Sequence, residues 1–170
     1  MILTKTELIR SLQKEVRLLL HLASKVDPTA LDYRPTPKQR STLELLKYLT
    51  LMGPALVGYA KGQPMDASAV TEAMQAAEAR NFDQTVAAIA AHADLYAALL
   101  GDMSDDDFRA ETKGVDGSPT TCGEFIVNHV IGQCAAYRMQ LFMYLKACGR
   151  EELNSMNLWV GTDAPMPALG

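Results

Sequence analysis

The chain has 170 residues, of which 48% are hydrophobic and 21% charged, and its net charge is −4. These values are typical of one globular domain with its own core, so we predict a single domain over residues 1–170. The acidic balance argues against a nucleic-acid surface, which needs clustered Lys and Arg. No stretch reaches the ~18 apolar residues of a membrane span. The three cysteines lack CxxC spacing, so we expect reduced thiols, a cytoplasmic location and no membrane partner.

Two long helices are predicted in the first third of the chain. Thr4 with Glu7 forms a capping box that opens a helix over residues 4–26, which ends before Asp27-Pro28. A second capping box at Ser41 opens a helix whose inward positions are Leu45, Tyr48, Leu49, Met52, Leu56 and Tyr59. Gly53-Pro54 in the middle of this second helix predicts a kink or an early break.

A long crossover leads to the third predicted helix. Residues 61–69 contain Gly, Pro and Asp, and the alanine-rich stretch 70–80 is expected to form a short helix or a lead-in. Asn81 with Gln84 marks the start of a helix over residues 81–103 with strong apolar periodicity. His92 lies off the apolar stripe, so we predict that it faces solvent.

A third capping box, Thr121 with Glu124, opens the fourth predicted helix, which runs through Cys148 and ends at Gly149. It follows a polar surface loop, with one short turn capped by Ser104 and no predicted strand. Its inward positions are Ile126, Val130, Gln133, Tyr137, Leu141, Tyr144 and Cys148, with His129 one turn before Gln133. Polar groups on such a stripe need partners, so they form either a structural cluster or the floor of a site. Four long helices without strands predict an all-α four-helix bundle with a C-terminal tail.

Two motifs resemble the DinB/YfiT-like superfamily of four-helix proteins, which includes bacillithiol transferases and the mycothiol-dependent maleylpyruvate isomerase. In that family the second helix reads as an apolar pair, one residue, then His-Leu, and here it reads Leu45-Leu46-Lys47-Tyr48-Leu49. The family's fourth helix reads His-x-x-x-His-x-x-x-His-Arg-x-Gln, and here His129, Gln133 and Tyr137 take the three histidine positions, followed by Arg138-Met139-Gln140.

The resemblance implies a metalloenzyme, but the ligand positions depart from the family pattern. The family's metal triad falls on Tyr48, Gln133 and Tyr137, while His129 matches the outer histidine, which is not one of the usual ligands. Neutral phenols and an amide oxygen are poor ligands for zinc or nickel. We therefore predict that the bundle is kept, that the metal site is lost and that no cofactor is bound.

Three alternatives remain for the former metal positions. Tyr48, Gln133 and Tyr137 could bond one another as a closed polar cluster, or they could line a pocket for a small polar ligand, with His129 available for proton transfer. A metal site rebuilt with His129 or Cys134 is the third, although Cys134 lies about 100° round the helix from Gln133. Arg138 is either a structural ion-pair partner or a substrate clamp.

Two functions follow from these observations. The first is a small-ligand-binding or interaction protein that forms a homodimer, since the triad is missing and the tail carries Met156, Leu158 and Trp159. The alternative is a thiol-dependent S-transferase or isomerase-like enzyme that uses the same cavity without metal. The sequence leaves open whether the protein is an enzyme, and it identifies no substrate.

Overall fold

The computed structural model describes residues 3–166 and has an all-α bundle, as predicted. Its helices are α1 (Lys5–Ala23), α2 (Thr42–Ala60), α3 (Ala67–Glu78), α4 (Phe82–Ala90), α5 (His92–Leu100), α6 (Asp105–Arg109), α7 (Cys122–Phe125) and α8 (Gly132–Ala147). A 3-10 turn spans Pro28–Ala30, and π-helical turns span Ile126–Ile131 and Met156–Val160. The four bundle helices are α1, α2, the consecutive pair α4 and α5, and the run from α7 through α8.

Side-chain caps set the helix starts where the sequence predicted them. Thr4, Ser41, Asn81 and Ser104 each accept a hydrogen bond from the backbone N–H of the third helical residue, whose own side chain returns to the cap. Thr121 caps α7 by accepting from the Glu124 N–H, but the Glu124 carboxylate accepts from the Thr120 hydroxyl instead. The predicted box at Thr121 is therefore half formed.

Of the kink or early break predicted at Gly53-Pro54, the early break is wrong, because α2 continues through this proline to Ala60. Proline has no N–H, so the carbonyl of Thr50, four residues earlier, lacks its helical donor. His92 supplies one, since its Nε2 lies 3.1 Å from that carbonyl oxygen. His92 is accordingly buried at 6% exposure, and the prediction that it faces solvent is also wrong.

The loop after α6 contains a hairpin that the sequence did not predict. Strand β1 (Glu111–Lys113) pairs antiparallel with β2 (Pro119–Thr121), with Thr112 opposite Thr120. Gly117 in the turn has a φ of 82°, and the Asp116 carboxylate accepts from the Ser118 N–H at 3.0 Å. Strands of three residues are too short for a period-2 pattern to be recognised in a sequence.

A π-helical turn at Ile126–Ile131 inserts one extra residue just before α8. Its extra residue leaves Gly132 N–H bonded to the carbonyl of Val127, five residues back. Each added residue rotates the following helix by about 100°. The residues buried in α8 are Arg138, Leu141, Phe142, Tyr144 and Leu145, while Gln133 and Tyr137 are half-buried.

The core runs between α1, α2, α5 and α8. Its fully buried residues include Leu12, Leu22, Leu45, Leu46, Leu100, Phe125, Ile126 and Leu141. None of the helices within residues 3–166 combines the length and apolar character needed to cross a membrane.

Candidate functional site

Two tyrosines join α2 to α8 at the positions that the sequence singled out. The rings of Tyr48 and Tyr137 lie 5.3 Å apart, centroid to centroid, at an interplanar angle of 70°. This edge-to-face arrangement is a favourable geometry for aromatic pairs, because the positive edge of one ring meets the negative face of the other. The two positions that the resemblance assigned to one site thus lie together.

Tyr48 also contacts a cation. The guanidinium carbon of Arg40 lies 3.9 Å from the Tyr48 ring centroid, which is a cation–π contact. Burial raises the pKa of the Tyr48 phenol, the neighbouring Tyr137 hydroxyl raises it further, and Arg40 opposes both. Tyr48 is therefore protonated near neutral pH and acts as a hydrogen-bond donor, not as a phenolate.

Gln133 belongs to the same cluster. It lies one helical turn before Tyr137, and its amide is close enough to the Tyr48 phenol to oppose the rise in the pKa of Tyr48. The structure thus brings Tyr48, Gln133 and Tyr137 together, two phenols and one amide between α2 and α8.

His129 lies apart from these three residues. It is part of the π-helical turn, and its ring packs against Phe125 with centroids 4.5 Å apart. Eight residues separate it from Tyr137, which corresponds to about 12 Å along a helix axis. Phe125 in turn packs against Tyr59, close to the C-terminal end of α2.

A cavity of about 220 Å³ opens beside Tyr48, on the side of α2 that faces α3. Its walls include Arg40, Lys47, Leu51 and Met74, none of which the sequence indicated as site residues. Arg40 precedes the Ser41 cap, and Lys47 stands next to Tyr48 in the motif of α2. Their proximity to Tyr48 could have been inferred, but their role as cavity walls depends on α3, whose position the sequence did not predict.

The donor set does not fit the metal that the family implies. Within residues 3–166, no three His, Cys, Asp or Glu side chains come together in a way that could hold a metal ion. The phenol of Tyr48 is held protonated, and a neutral phenol is a weak ligand for zinc or nickel. Burial raises the pKa of the Cys134 thiol to about 12, so this residue is not the thiolate that a metal would require.

Arg138 has a structural role on the other side of α8. It is 1% exposed, and its Nε lies 3.1 Å from Oε2 of Glu15, although neither of these two atoms has a well-aligned hydrogen bond. The same guanidinium donates to the carbonyl of Leu158 and lies 4.8 Å from the Trp159 ring centroid. Of the two roles that the sequence allowed, these contacts favour the ion pair over a substrate clamp.

The comparisons with known proteins identify the family. A model described as the DinB superfamily matches residues 11–134, well over half of the chain. The chain belongs to the DinB superfamily. The matched segment of this DinB-superfamily chain ends at Cys134, so the assignment of Tyr137 to a family position depends on the motif spacing alone.

Solved structures support the same fold. A crystal structure of a DinB-like protein from Bacillus subtilis is similar to this chain with a TM-score of 0.65 and 16% sequence identity. The similarity covers 86% of this chain and 94% of the other. A search of curated protein sequences finds no significant match. At this identity the structural likeness shows the fold, and the function has to be argued from the site.

Proposed function

We propose that this DinB-superfamily protein has lost the three-histidine metal site and binds a small polar ligand at Tyr48, Gln133 and Tyr137. The observation that carries the proposal is the edge-to-face pair of Tyr48 and Tyr137, with the Gln133 amide close to Tyr48. The resemblance places the family's metal ligands at these three positions.

The cluster has the chemistry to orient a ligand. A protonated phenol donates one hydrogen bond and accepts others, and an amide side chain both donates and accepts. A ligand with a carbonyl or hydroxyl group could replace the bonds that these groups make with one another. The competing arrangement is a closed cluster in which the three side chains satisfy only each other.

Metal content tests the first half of the proposal. Plasma mass spectrometry on protein purified without chelator or affinity tag should find far less than one nickel, zinc, iron or manganese per chain. The same result is expected after soaking in each metal. About one metal per chain, lost in a His129→Ala variant, would contradict the proposal. The protein would then be interpreted as a metalloenzyme, as the resemblance implies.

Ligand binding tests the second half. Saturation-transfer NMR with a library of small polar compounds should find ligands whose signal falls in Tyr48→Phe and Tyr137→Phe. Tyr33→Phe is the matched control, since Tyr33 forms a similar edge pair with Tyr144, at 5.4 Å. If no compound distinguishes the Tyr48 and Tyr137 variants from Tyr33→Phe, the cluster is closed and structural.

The thiol-dependent enzyme remains a prediction from the resemblance. Incubation with low-molecular-weight thiols and electrophilic substrates is its direct test. Turnover that His129→Ala abolishes would support an enzyme and would give His129 the proton-transfer role that the sequence suggested. Rates equal to the uncatalysed background across the class would count against it.

We further propose that the protein forms a homodimer through the outer face of α8. Met139 and Met143, one turn apart, are 41% and 56% exposed, and Trp159 is 53% exposed. Light scattering should report a dimer that Met139→Glu with Met143→Glu dissociates. Met65→Glu is the control, since Met65 is 46% exposed in the crossover. A wild-type monomer would contradict the proposal.

A further inference from the structure

We propose that the cavity beside Tyr48 binds a small carboxylate with a short aliphatic tail. The carboxylate would pair with Arg40 and the tail would lie against Leu51 and Met74. This inference rests on the proposed function, because it uses the Tyr48 side of the same site, and it specifies the class of ligand.

Arg40 is the residue that selects a carboxylate. Its guanidinium stacks on the Tyr48 ring at 3.9 Å, and within residues 3–166 it has neither a carboxylate within ion-pair distance nor a side-chain hydrogen bond. Arg34, six residues earlier, is by contrast paired with Glu44 at 3.0 Å. A guanidinium held by its face keeps its planar N–H donors free at the edge, where a carboxylate can accept two parallel bonds.

The other charged groups of the cavity are already engaged. The Glu44 carboxylate accepts from the Ser41 N–H at 2.7 Å and from Arg34, so it does not neutralise Arg40. Lys47 is 9% exposed, and its Nζ donates to the carbonyl of Glu78 at 2.7 Å and lies 3.4 Å from the Glu78 carboxylate. Arg40 therefore contributes the unpaired charge at this cavity, and its sign favours an anion.

The remaining wall is apolar and limits the size of the ligand. Leu51, Met74 and Ala77 line it, and the Met74 side chain is 54% exposed. The cavity volume is 220 Å³. A cavity of this volume has room for a ligand with a short aliphatic chain. An aliphatic chain against Met74 would remove this methionine from water, which is favourable.

Pentanoate and its neutral analogue pentanamide are suitable probes, because they have the same size and tail. Calorimetry, with [methyl-13C]methionine NMR to observe Met74, should show that pentanoate binds at least about tenfold more tightly than pentanamide, as expected for a charge-assisted bond. Pentanoate should also shift the Met74 methyl signal. Equal affinity for the two probes would overturn the proposal.

Arg40→Gln should weaken pentanoate binding about tenfold, because it removes the charged fork. Arg10→Gln is the matched control, since Arg10 is an exposed arginine on α1 and the change in net charge is the same. Circular dichroism should show both variants folded. If the two variants bind pentanoate equally well, Arg40 is not the carboxylate site.

Two further measurements test whether binding depends on the planar guanidinium of Arg40 and on the aliphatic tail of the ligand, and not on charge alone. Arg40→Lys keeps the charge but removes the planar guanidinium, so this variant should also bind pentanoate more weakly. Wild-type affinity for pentanoate in this variant would overturn the bidentate contact. Inorganic phosphate should bind more weakly than pentanoate, because it lacks the tail. Phosphate binding equal to pentanoate binding would overturn the assignment of Leu51 and Met74.

Failure here can be told apart from failure of the proposed function. If pentanoate does not bind but other ligands still depend on Tyr48 and Tyr137, the carboxylate assignment is wrong and the ligand site stands. If no ligand depends on Tyr48 and Tyr137, the proposed function fails as well.

Discussion

At the residue scale, one hydrogen bond explains how α2 accommodates a proline. Pro54 leaves the Thr50 carbonyl without its helical donor, and His92 from α5 donates to that oxygen from 3.1 Å away. This contact requires Nε2 of His92 to carry a proton, which fixes the neutral tautomer. The bond crosses from α5 to α2, so it also holds these two helices together.

His92→Phe should therefore destabilise the protein by about 1–3 kcal/mol, the cost of an unpaired buried carbonyl. Pro54→Ala restores the helical N–H, so the same His92 change should cost clearly less in that background. Urea unfolding of the four variants of this double-mutant cycle measures the coupling. Strictly additive effects on stability would show that the His92 hydrogen bond to the Thr50 carbonyl does not compensate for Pro54.

Stability should also depend on pH through His92. Burial lowers the pKa of His92 below its ordinary value of 6.5, with the Thr50 carbonyl opposing the effect. As pH falls below 6.5, the unfolded chain binds a proton before the native protein does, so stability is present above this pH and is lost below it. The urea midpoint should fall between pH 7.5 and pH 5.

The control for this pH dependence is a second histidine. Burial also lowers the pKa of His21, so His92→Phe should flatten the pH profile in part and a further His21→Gln change should flatten it more. A profile unchanged by His92→Phe would mean that another group carries the dependence.

Gly53 provides a test of close packing between α2 and α5. A Cβ at this position would overlap the hydroxyl of Tyr96 and would lie 3.2 Å from Cζ of the same ring. Gly53→Ala should destabilise the protein by about 1–3 kcal/mol, although alanine favours helices. Tyr96→Phe in the same chain should recover part of the loss in thermal melting.

The control for Gly53 is Gly132 in α8. A Cβ there would lie 3.7 Å from its nearest neighbour, the Val127 carbonyl oxygen, which is an ordinary contact. Gly132→Ala should be neutral or stabilising by up to about 1 kcal/mol. Equal losses in both variants would contradict the clash with Tyr96.

At the element scale, a buried ion pair joins α8 to α1. Arg138 is carried into the interior, beside Glu15 of α1, where its Nε lies 3.1 Å from the carboxylate. Burial raises the pKa of Glu15, and Arg138 opposes this rise. A buried carboxylate needs such a partner, so the pair fixes the register of α8 on α1.

Replacing Arg138 alone should be costly, because it leaves Glu15 buried without a counter-charge. We expect Arg138→Met to destabilise by about 3–5 kcal/mol and the double change with Glu15→Leu to recover most of this. The exposed pair of Arg109 with Asp106, at 3.4 Å, is the control, and Arg109→Met should cost less than about 1 kcal/mol. Denaturant unfolding measures the stability of all three variants. A loss of less than about 1 kcal/mol in Arg138→Met would contradict the conclusion that this ion pair fixes the register of α8 on α1.

At the scale of the whole molecule, the C-terminal tail is part of the bundle. Leu153 and Leu158 are 3% and 5% exposed. Arg17 of α1 donates to the Val160 carbonyl at 2.8 Å, and Lys25 pairs with Asp163 at 2.6 Å. The tail thus covers α1 and α8 on the Arg138 side, away from Tyr48.

Deleting residues 153–170 should lower the melting temperature and increase the binding of a dye specific for apolar surface. Leu158→Ala alone should also destabilise the protein, lowering its free energy of unfolding by about 2–5 kcal/mol, because it leaves a cavity under the tail. Ligand binding at Tyr48 should persist in Leu158→Ala. A melting curve unchanged by the deletion would show that the tail does not stabilise the bundle.

The sequence by itself determined the helix starts and the pair of tyrosines. Caps at Thr4, Ser41 and Asn81 act through bonds within one helical turn, so they can be read locally. Tyr48 and Tyr137 were placed together because their motifs resemble a family whose helices meet at those positions. Local rules and one family motif were sufficient for these features.

The tertiary structure decided the features that depend on contacts between distant parts of the chain. His92 is buried because Pro54, on another helix, needs a hydrogen-bond donor. Arg138 is internal because Glu15 of α1 lies opposite and pairs with it. Arg40 lines a cavity because α3 packs beside Tyr48. Each depends on a partner remote in sequence, so helical periodicity within one segment does not predict it.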